Sequence, residues 1–375
     1  MRREFSLYLD LVRVLAAGAV ILYHSNLRLL TADKLPFSQH GHAAVMVFFV
    51  LSGYVIAHIA QQRENTPLEY WASRLSRFYA LAIPTVLLTP LLDLAGQAMA
   101  PQFYDGATTH GWAALRIATS LTFLNEVWLA SIMSFSNVPY WSLCYEFWYY
   151  ALFAILAFVR GRARWYWAGA VALLLGPKIM LLAPVWALGV LLQRWRRLQQ
   201  TGPAAGALLF LGSLPAYGLF HAYGLTETGS DWLRQLIGPA LHHKMAFSKF
   251  FLTDYLLALI VACNFVGMRA IAPYVGKPLL WAGPAIRLLA GYTFSAYLLH
   301  QPLLQFYAAL FNGDPRQPWF YLATMAATLA SIVAIGSVTE GRRHYWRAVV
   351  RAALLRWTAS GWAPRGLAPA GRDHG

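Results

Sequence analysis

Arg13 and His24 lie eleven positions apart within one apolar stretch, Leu7 to Arg28, of a 375-residue chain. An ionisable side chain near the middle of a membrane-spanning helix costs roughly 2.5–3.5 kcal/mol on insertion scales, so it faces a polar interior, a partner or a substrate path. Eleven helical residues rise about 16 Å, which sets the two groups towards opposite ends of one helix. An imidazole serves as a general base or a nucleophile near neutral pH, and a guanidinium grips phosphate. Each also has a plainer reading: Arg13 can pair with Asp10 one turn earlier, and a lone histidine on an apolar helix is usually a packing residue.

A carboxylate arrives at a similar depth. Glu146 lies about seven residues into the segment that opens Pro139-Tyr140-Trp141-Ser142, roughly 10 Å from its outer end, and His24 lies roughly 6 Å from the outer end of its own segment. A carboxylate beside an imidazole fixes the tautomer and stabilises the imidazolium, so a His24–Glu146 pair is expected, with a structural interhelical hydrogen bond as the alternative. Arg74 and Arg77 share one helical face and suit a phosphate; such clusters are also ordinary topology signals, as Arg194-Trp195-Arg196-Arg197 is. Ser52-Gly53, after Phe48-Phe49-Val50-Leu51, offers small residues for close helix packing. In Tyr292-Thr293-Phe294-Ser295-Ala296-Tyr297-Leu298-Leu299-His300-Gln301-Pro302, the proline frees the carbonyl four residues upstream, which neighbours must satisfy. His300 therefore has a role in shaping the helix break to set beside any catalytic one.

The elements that carry these residues are membrane helices. The chain is 58% hydrophobic and 12% charged, where a soluble globule carries about 25% charge. Its apolar residues fall mostly in blocks long enough to cross about 30 Å of hydrocarbon as helix. Ten spans are predicted, near 7–28, 42–60, 78–97, 139–159, 164–176, 179–195, 204–222, 250–268, 288–311 and 318–339; the fifth is short and bounded by Gly176-Pro177. With the N-terminus inside, 21 Lys and Arg fall on the inner side and eight on the outer, which gives an N-in, C-in topology. The net charge of +15 is thus a membrane signal and not a nucleic-acid one. An eleventh span at Gly111–Leu124 would put Arg160, Arg162 and Arg164 outside, so residues 98–138 read as a long outer loop with a re-entrant or interfacial piece. The Arg-rich stretch Arg342 to Arg356 is expected on the anionic cytoplasmic leaflet. Asp10 and Arg13 interrupt the first apolar run and no cleavage site closes it, so it reads as a retained helix. Cys144 and Cys263 both fall in apolar spans, and no disulfide framework or metal-ligand spacing is indicated.

Taken together, Arg13-x10-His24, Phe48-Phe49-Val50-Leu51-Ser52-Gly53, Arg74-x-x-Arg77, Trp141-Ser142-Leu143-x-x-Glu146 and Ser295-x-Tyr297-Leu298-x-His300 resemble, in order, the motifs of the acyltransferase-3 family of integral-membrane acyltransferases. The resemblance covers about residues 6–340 and implies an all-α transmembrane bundle, with 1–340 as the acyltransferase domain and 341–375 as a basic cytoplasmic tail. Phe147 follows the glutamate where the family often has a second acidic or polar residue, so Glu146 is the single carboxylate there. The resemblance implies transfer of an acyl group, commonly acetyl, from cytoplasmic acyl-coenzyme A to a hydroxyl of a glycan or similar acceptor in a bacterial inner membrane, with no metal. Under it, Arg13, Arg74 and Arg77 bind the coenzyme and His24 is base or acyl carrier assisted by Glu146. Asp10, Ser52, Trp141, Ser142, Ser295, Tyr297 and His300 then form a second tier of substrate or structural residues. The acceptor stays open among exopolysaccharide, lipopolysaccharide, peptidoglycan, other glycans and a macrolide. Phe103, Tyr104, Trp112, Trp128 and Trp232 are either sugar-stacking or interfacial residues. A different class, a proton-coupled secondary transporter or lipid-linked glycan carrier, would use His24 and Glu146 as a relay, although paired broken helices in corresponding halves are not evident.

Overall fold

In hydrocarbon each backbone N–H and C=O must be satisfied within the protein, which turns apolar blocks of this length into helices. The computed structural model describes residues 1–62, 64–104 and 111–359. Arg63, loop residues 105–110 and the 360–375 part of the basic tail lie outside the described residues. The helices are α1 (Arg3–Ser25), α2 (Gly41–Gln62), α3 (Pro67–Met99), α4 (Ala113–Leu121), α5 (Trp141–Phe158), α6 (Ala163–Leu175), α7 (Pro177–Arg194), α8 (Arg196–Gln199), α9 (Pro203–Ala222), α10 (Leu225–Ile237), α11 (Pro239–Lys244), α12 (Phe251–Val275), α13 (Lys277–Trp281), α14 (Gly283–Ala290), α15 (Thr293–Phe311), α16 (Pro318–Thr339) and α17 (Arg343–Ala359). Local chemistry sets several starts. Pro67, Pro177, Pro203 and Pro318 each open a helix, where a missing N–H costs nothing, and the Thr66 hydroxyl accepts from the Glu69 N–H at 3.3 Å.

Among the described residues, seven helical stretches are long and apolar enough to cross a membrane: Arg3–Ser25, Ser38–Gln62, Pro67–Met99, Val138–Phe158, Pro203–Ala222, Ala246–Val275 and Pro318–Thr339. The other three expected segments are helical as well. α6 has 13 residues, α7 carries Lys178 and Arg194 at its ends, and the stretch expected at 288–311 breaks between α14 and α15. The third stretch begins at Pro67, well before residue 78, and the extra turns project far enough for Glu69 to pair with Arg347 at 2.9 Å and Arg351 at 2.7 Å on α17. The connection between α3 and α5, expected on the outer side, holds α4, nine residues or about 13 Å of helix, too short to span. Of the aromatic residues picked out in the outer segments, Trp112, Trp128 and Trp232 are exposed, whereas Tyr104 is buried under Gly96.

α2 lies at the centre, against α1, α5, α7 and α12, and α15 lies against α1, α3 and α16. The α2–α7 crossing is backbone to backbone. A Cβ on Gly53 would strike the Trp186 carbonyl and one on Gly189 the Val50 carbonyl, so both positions need glycine. The α4–α5 connection is pinned by Lys178, fully buried, whose ammonium donates to Glu126 at 2.6 Å, to Ser131 at 2.6 Å and to the Ala130 carbonyl. Burial pushes the Glu126 carboxyl up, and Lys178 opposes that shift. The carbonyl freed by Pro302 is that of Leu298, and Asn137 supplies its donor through Nδ2 at 2.7 Å.

Gly53→Val forces α2 and α7 apart and is expected to cost about 1–3 kcal/mol in overpacking, read as a lowered Tm in detergent. Asn137→Leu leaves the Leu298 carbonyl without its donor, at a cost of about 1–3 kcal/mol. A Tm within a degree of wild type for either variant contradicts these roles.

Candidate active site

α1, α2, α3, α5 and α15 line a partly open cavity of about 60 Å³. Its wall includes Arg13, Ser52, Arg74, Arg77, Ser142, Glu146 and Tyr297, brought together from segments far apart in sequence. Asp10, Trp141, Ser295, His24 and His300 stand outside this wall.

The arginines divide their work. Arg74 is 4% exposed; its guanidinium donates to Glu64 at 2.8 and 3.0 Å and lies over the rings of Tyr70 and Tyr150. Glu64, ten residues away across the α2–α3 turn, carries no sequence signal for this pairing. Arg77 is exposed at the cavity wall with its guanidinium over Phe294, so the expected joint grip of Arg74 and Arg77 is replaced by one internally paired arginine and one facing outward. Arg13 lies 3.8 Å from Asp10, the helical pair foreseen as the plainer reading, and still lines the cavity. Ser295, at the start of α15, is fully buried and gives its N–H at 2.8 Å and its hydroxyl at 2.5 Å to Glu340. Glu340 thereby satisfies one of the free amides at the start of α15, and although burial raises its carboxyl, Ser295, Arg77 and Arg13 pull the other way.

Glu146 is not beside His24. Its Oε1 accepts from the Ser52 hydroxyl at 2.5 Å and from Tyr150 at 2.6 Å, and Ser52 in turn accepts from the Trp186 indole at 3.2 Å. Equal depth in two helices does not bring them face to face, because the helix rotation is set by packing. Tyr150 was legible as the residue one turn after Glu146 on the same face. Trp141 stacks on Phe247 with centroids 4.3 Å apart and planes 6° apart. Ser142 meets the Tyr297 hydroxyl at 2.6 Å, and Tyr297 also donates to the Pro139 carbonyl at 3.2 Å, so α5 and α15 are fastened at the end of the cavity.

The partner of His24 is His300. His300 Nδ1 lies 2.9 Å from the Ala296 carbonyl, which can only accept, so in the neutral ring that nitrogen carries the proton and Nε2 the lone pair. Nε2 lies 3.0 Å from His24 Nδ1, which must then be the donor; the Val20 carbonyl, 3.0 Å from the same nitrogen, demands the same proton. This hydrogen-bond network assigns the tautomers and leaves His24 Nε2 with its lone pair. The rings of Phe48 and Tyr297, 5.7 Å apart, belong to the cavity wall, and Tyr297 lies 6.3 Å from His300. Among the described residues no three His, Cys, Asp or Glu side chains gather as a metal site.

Glu64→Ala strands the buried Arg74 charge and is expected to cost about 3–5 kcal/mol, whereas Arg77→Ala at the exposed position stays within about 0.5 kcal/mol. Thermal unfolding of the two variants checks the contrast, and equal Tm values would remove it.

The matching stretch of Acyltransferase MdmB of Streptomyces mycarofaciens is 28% identical over 173 residues, which is 43% of this chain and 42% of that protein. The chain thus aligns with less than half the length of that relative. No solved structure matches the chain. The family model described as an acyltransferase domain matches residues 6–337, nearly all of the bundle that builds the cavity and the histidine pair, and the chain belongs to this acyltransferase-3 family.

Proposed function

We propose that the protein transfers an acyl group, with acetyl first among the candidates, from cytoplasmic acyl-coenzyme A to a hydroxyl of a cell-envelope or exported glycan or a similar acceptor, in a bacterial inner membrane. The observation that carries this reading is a cavity wall that combines Arg13, Arg74 and Arg77 with Ser52, Ser142, Glu146 and Tyr297. The excess of Lys and Arg at one end of the helices supports a cytoplasmic arginine end, from which a donor would enter. Arg77 and Arg13 are assigned to the donor's phosphates, and Arg74 supports them from its pair with Glu64. The long pantetheine arm would run along α1 towards His24, with the Tyr297–Ser142 contact in its way and obliged to open.

His24 carries the chemistry in this reading. With Nδ1–H directed at His300, Nε2 is presented as base or nucleophile, and His300 is a positioning residue that selects this tautomer. In one route Nε2 takes the acceptor's hydroxyl proton while the oxygen attacks the thioester. In the other Nε2 takes the acyl group first and hands it on. Glu146, bonded to Ser52 and Tyr150, is reassigned from orienting His24 to holding the donor path.

Two experiments test the reading. Acetyl-coenzyme A is expected to raise the Tm of the purified protein by mass action, and Arg77→Ala and Arg13→Ala each to weaken that binding about 10- to 100-fold, the loss of one charge-assisted contact worth about 1.5–3 kcal/mol. No shift at millimolar ligand counts against an acyl-coenzyme A donor. Radiolabelled acetyl-coenzyme A without acceptor is expected to leave label on wild type and none on His24→Ala if the acyl-histidine route operates; an unlabelled wild type selects direct transfer.

A further inference from the structure

His42 is the second residue of α2, and its Nε2 lies 2.8 Å from Asp254 Oδ1 on α12. The Asp254 side chain is 1% exposed and the His42 side chain 19%. The second carboxylate oxygen, Oδ2, is buried with no hydrogen-bond partner, so this carboxylate is directed at the one imidazole. A buried carboxylate holding a partly open histidine is the arrangement in which an imidazole is fixed in orientation and its cation stabilised. It was expected at His24 and Glu146 and occurs here instead.

The pair stands at the end of the cavity away from the arginines. Val45, in the cavity wall, is one turn further along α2, about 4.5 Å of rise. The His42 ring packs on Phe250 at 4.7 Å, and Phe247 from the same turn stacks on Trp141, which precedes the cavity residue Ser142. The neighbouring Gly41 lies so close to Tyr23 that a Cβ there would overlap its ring, and the Tyr23 ring stands edge-on to His24 at 4.9 Å. The His42 backbone therefore adjoins the residue that packs on the proposed acyl carrier.

We propose that His42, held by Asp254, is the acceptor-side base of the acyl-transfer reaction; this rests on the acyl-histidine route of the reading given above, and a wild type that carries no label on His24 overturns it. Once His24 carries the acyl group on Nε2, it has no lone pair for the acceptor's proton, and a second base is required. The acceptor oxygen bonds to the acyl carbon, the carbon–Nε2 bond breaks, and its electron pair returns to His24, which keeps its Nδ1 proton. The hydroxyl proton goes to His42 Nδ1, the nitrogen turned away from Asp254, and from there to water. The coenzyme A thiolate released in the first step takes its proton from cytoplasmic water, so the charges balance.

The test uses the purified full-length protein with acetyl-coenzyme A as donor and water or glycerol as acceptor. His42→Gln, which can still bond Asp254, is expected to keep the donor-induced Tm shift and the labelling of His24 within twofold, while steady-state coenzyme A release falls about 100-fold. Millimolar imidazole is expected to restore release to His42→Ala, and Asp254→Asn to lower it with donor binding unchanged. Release within twofold of wild type in His42→Gln overturns the proposal. So does joint loss of donor binding and release with no rescue by imidazole, which marks the pair as a structural tie between α2 and α12. A wild type that neither binds nor consumes acetyl-coenzyme A would instead sink the donor assignment itself.

Discussion

Pro302 takes one N–H out of α15, and the Leu298 carbonyl it strands must find a donor inside the bundle, since hydrocarbon offers none. Asn137 provides it, from the loop that leads into α5. That one hydrogen bond fixes the height of α15 against α5, and the Tyr297 contacts to Ser142 and the Pro139 carbonyl follow at the same level. Two residues beyond Leu298, His300 is then set where its Nε2 meets His24. The cavity wall and the histidine pair thus both depend on a carbonyl that a proline left unpaired.

Charge imposes the second constraint. A guanidinium or ammonium drawn into a low-dielectric interior is tolerable only with a counter-charge nearby. Arg74 meets that requirement through Glu64, Arg13 through Asp10, and Lys178 through Glu126. Arg77 escapes it by remaining exposed, and so retains a charge available to a ligand. Side chains that look equivalent as Arg-x-x-Arg thereby become one structural and one outward-facing group.

Much of the site was legible because its signals are local. Arg13, Ser52, Arg74, Arg77, Ser142, Glu146 and Tyr297 were each chosen from short motifs, and they share one cavity. The need to satisfy the carbonyl upstream of Pro302 was also readable, although not that Asn137 would do it. What escaped were pairings across helices. Glu64 with Arg74, Glu340 with Ser295, and Asp254 with His42 join residues 10, 45 and 212 positions apart, and no periodicity links them. The His24–Glu146 pairing went wrong for a related reason: residue counting gives depth along a helix axis and says nothing of which neighbour the helix turns towards.

The sequence by itself determined that the chain is a helical membrane bundle, where its main apolar helices lie, and which polar residues are too costly there to be incidental. Those are consequences of transfer free energy and backbone hydrogen bonding, which act on each segment alone. Only the tertiary structure decided that His24 answers to His300, that Glu146 answers to Ser52 and Tyr150, and that Asp254 spends its charge on His42. Partner choice depends on helix rotation and crossing, and these are set by close packing such as the Gly53–Gly189 contact of α2 with α7, where the absence of two side chains lets one backbone rest on another.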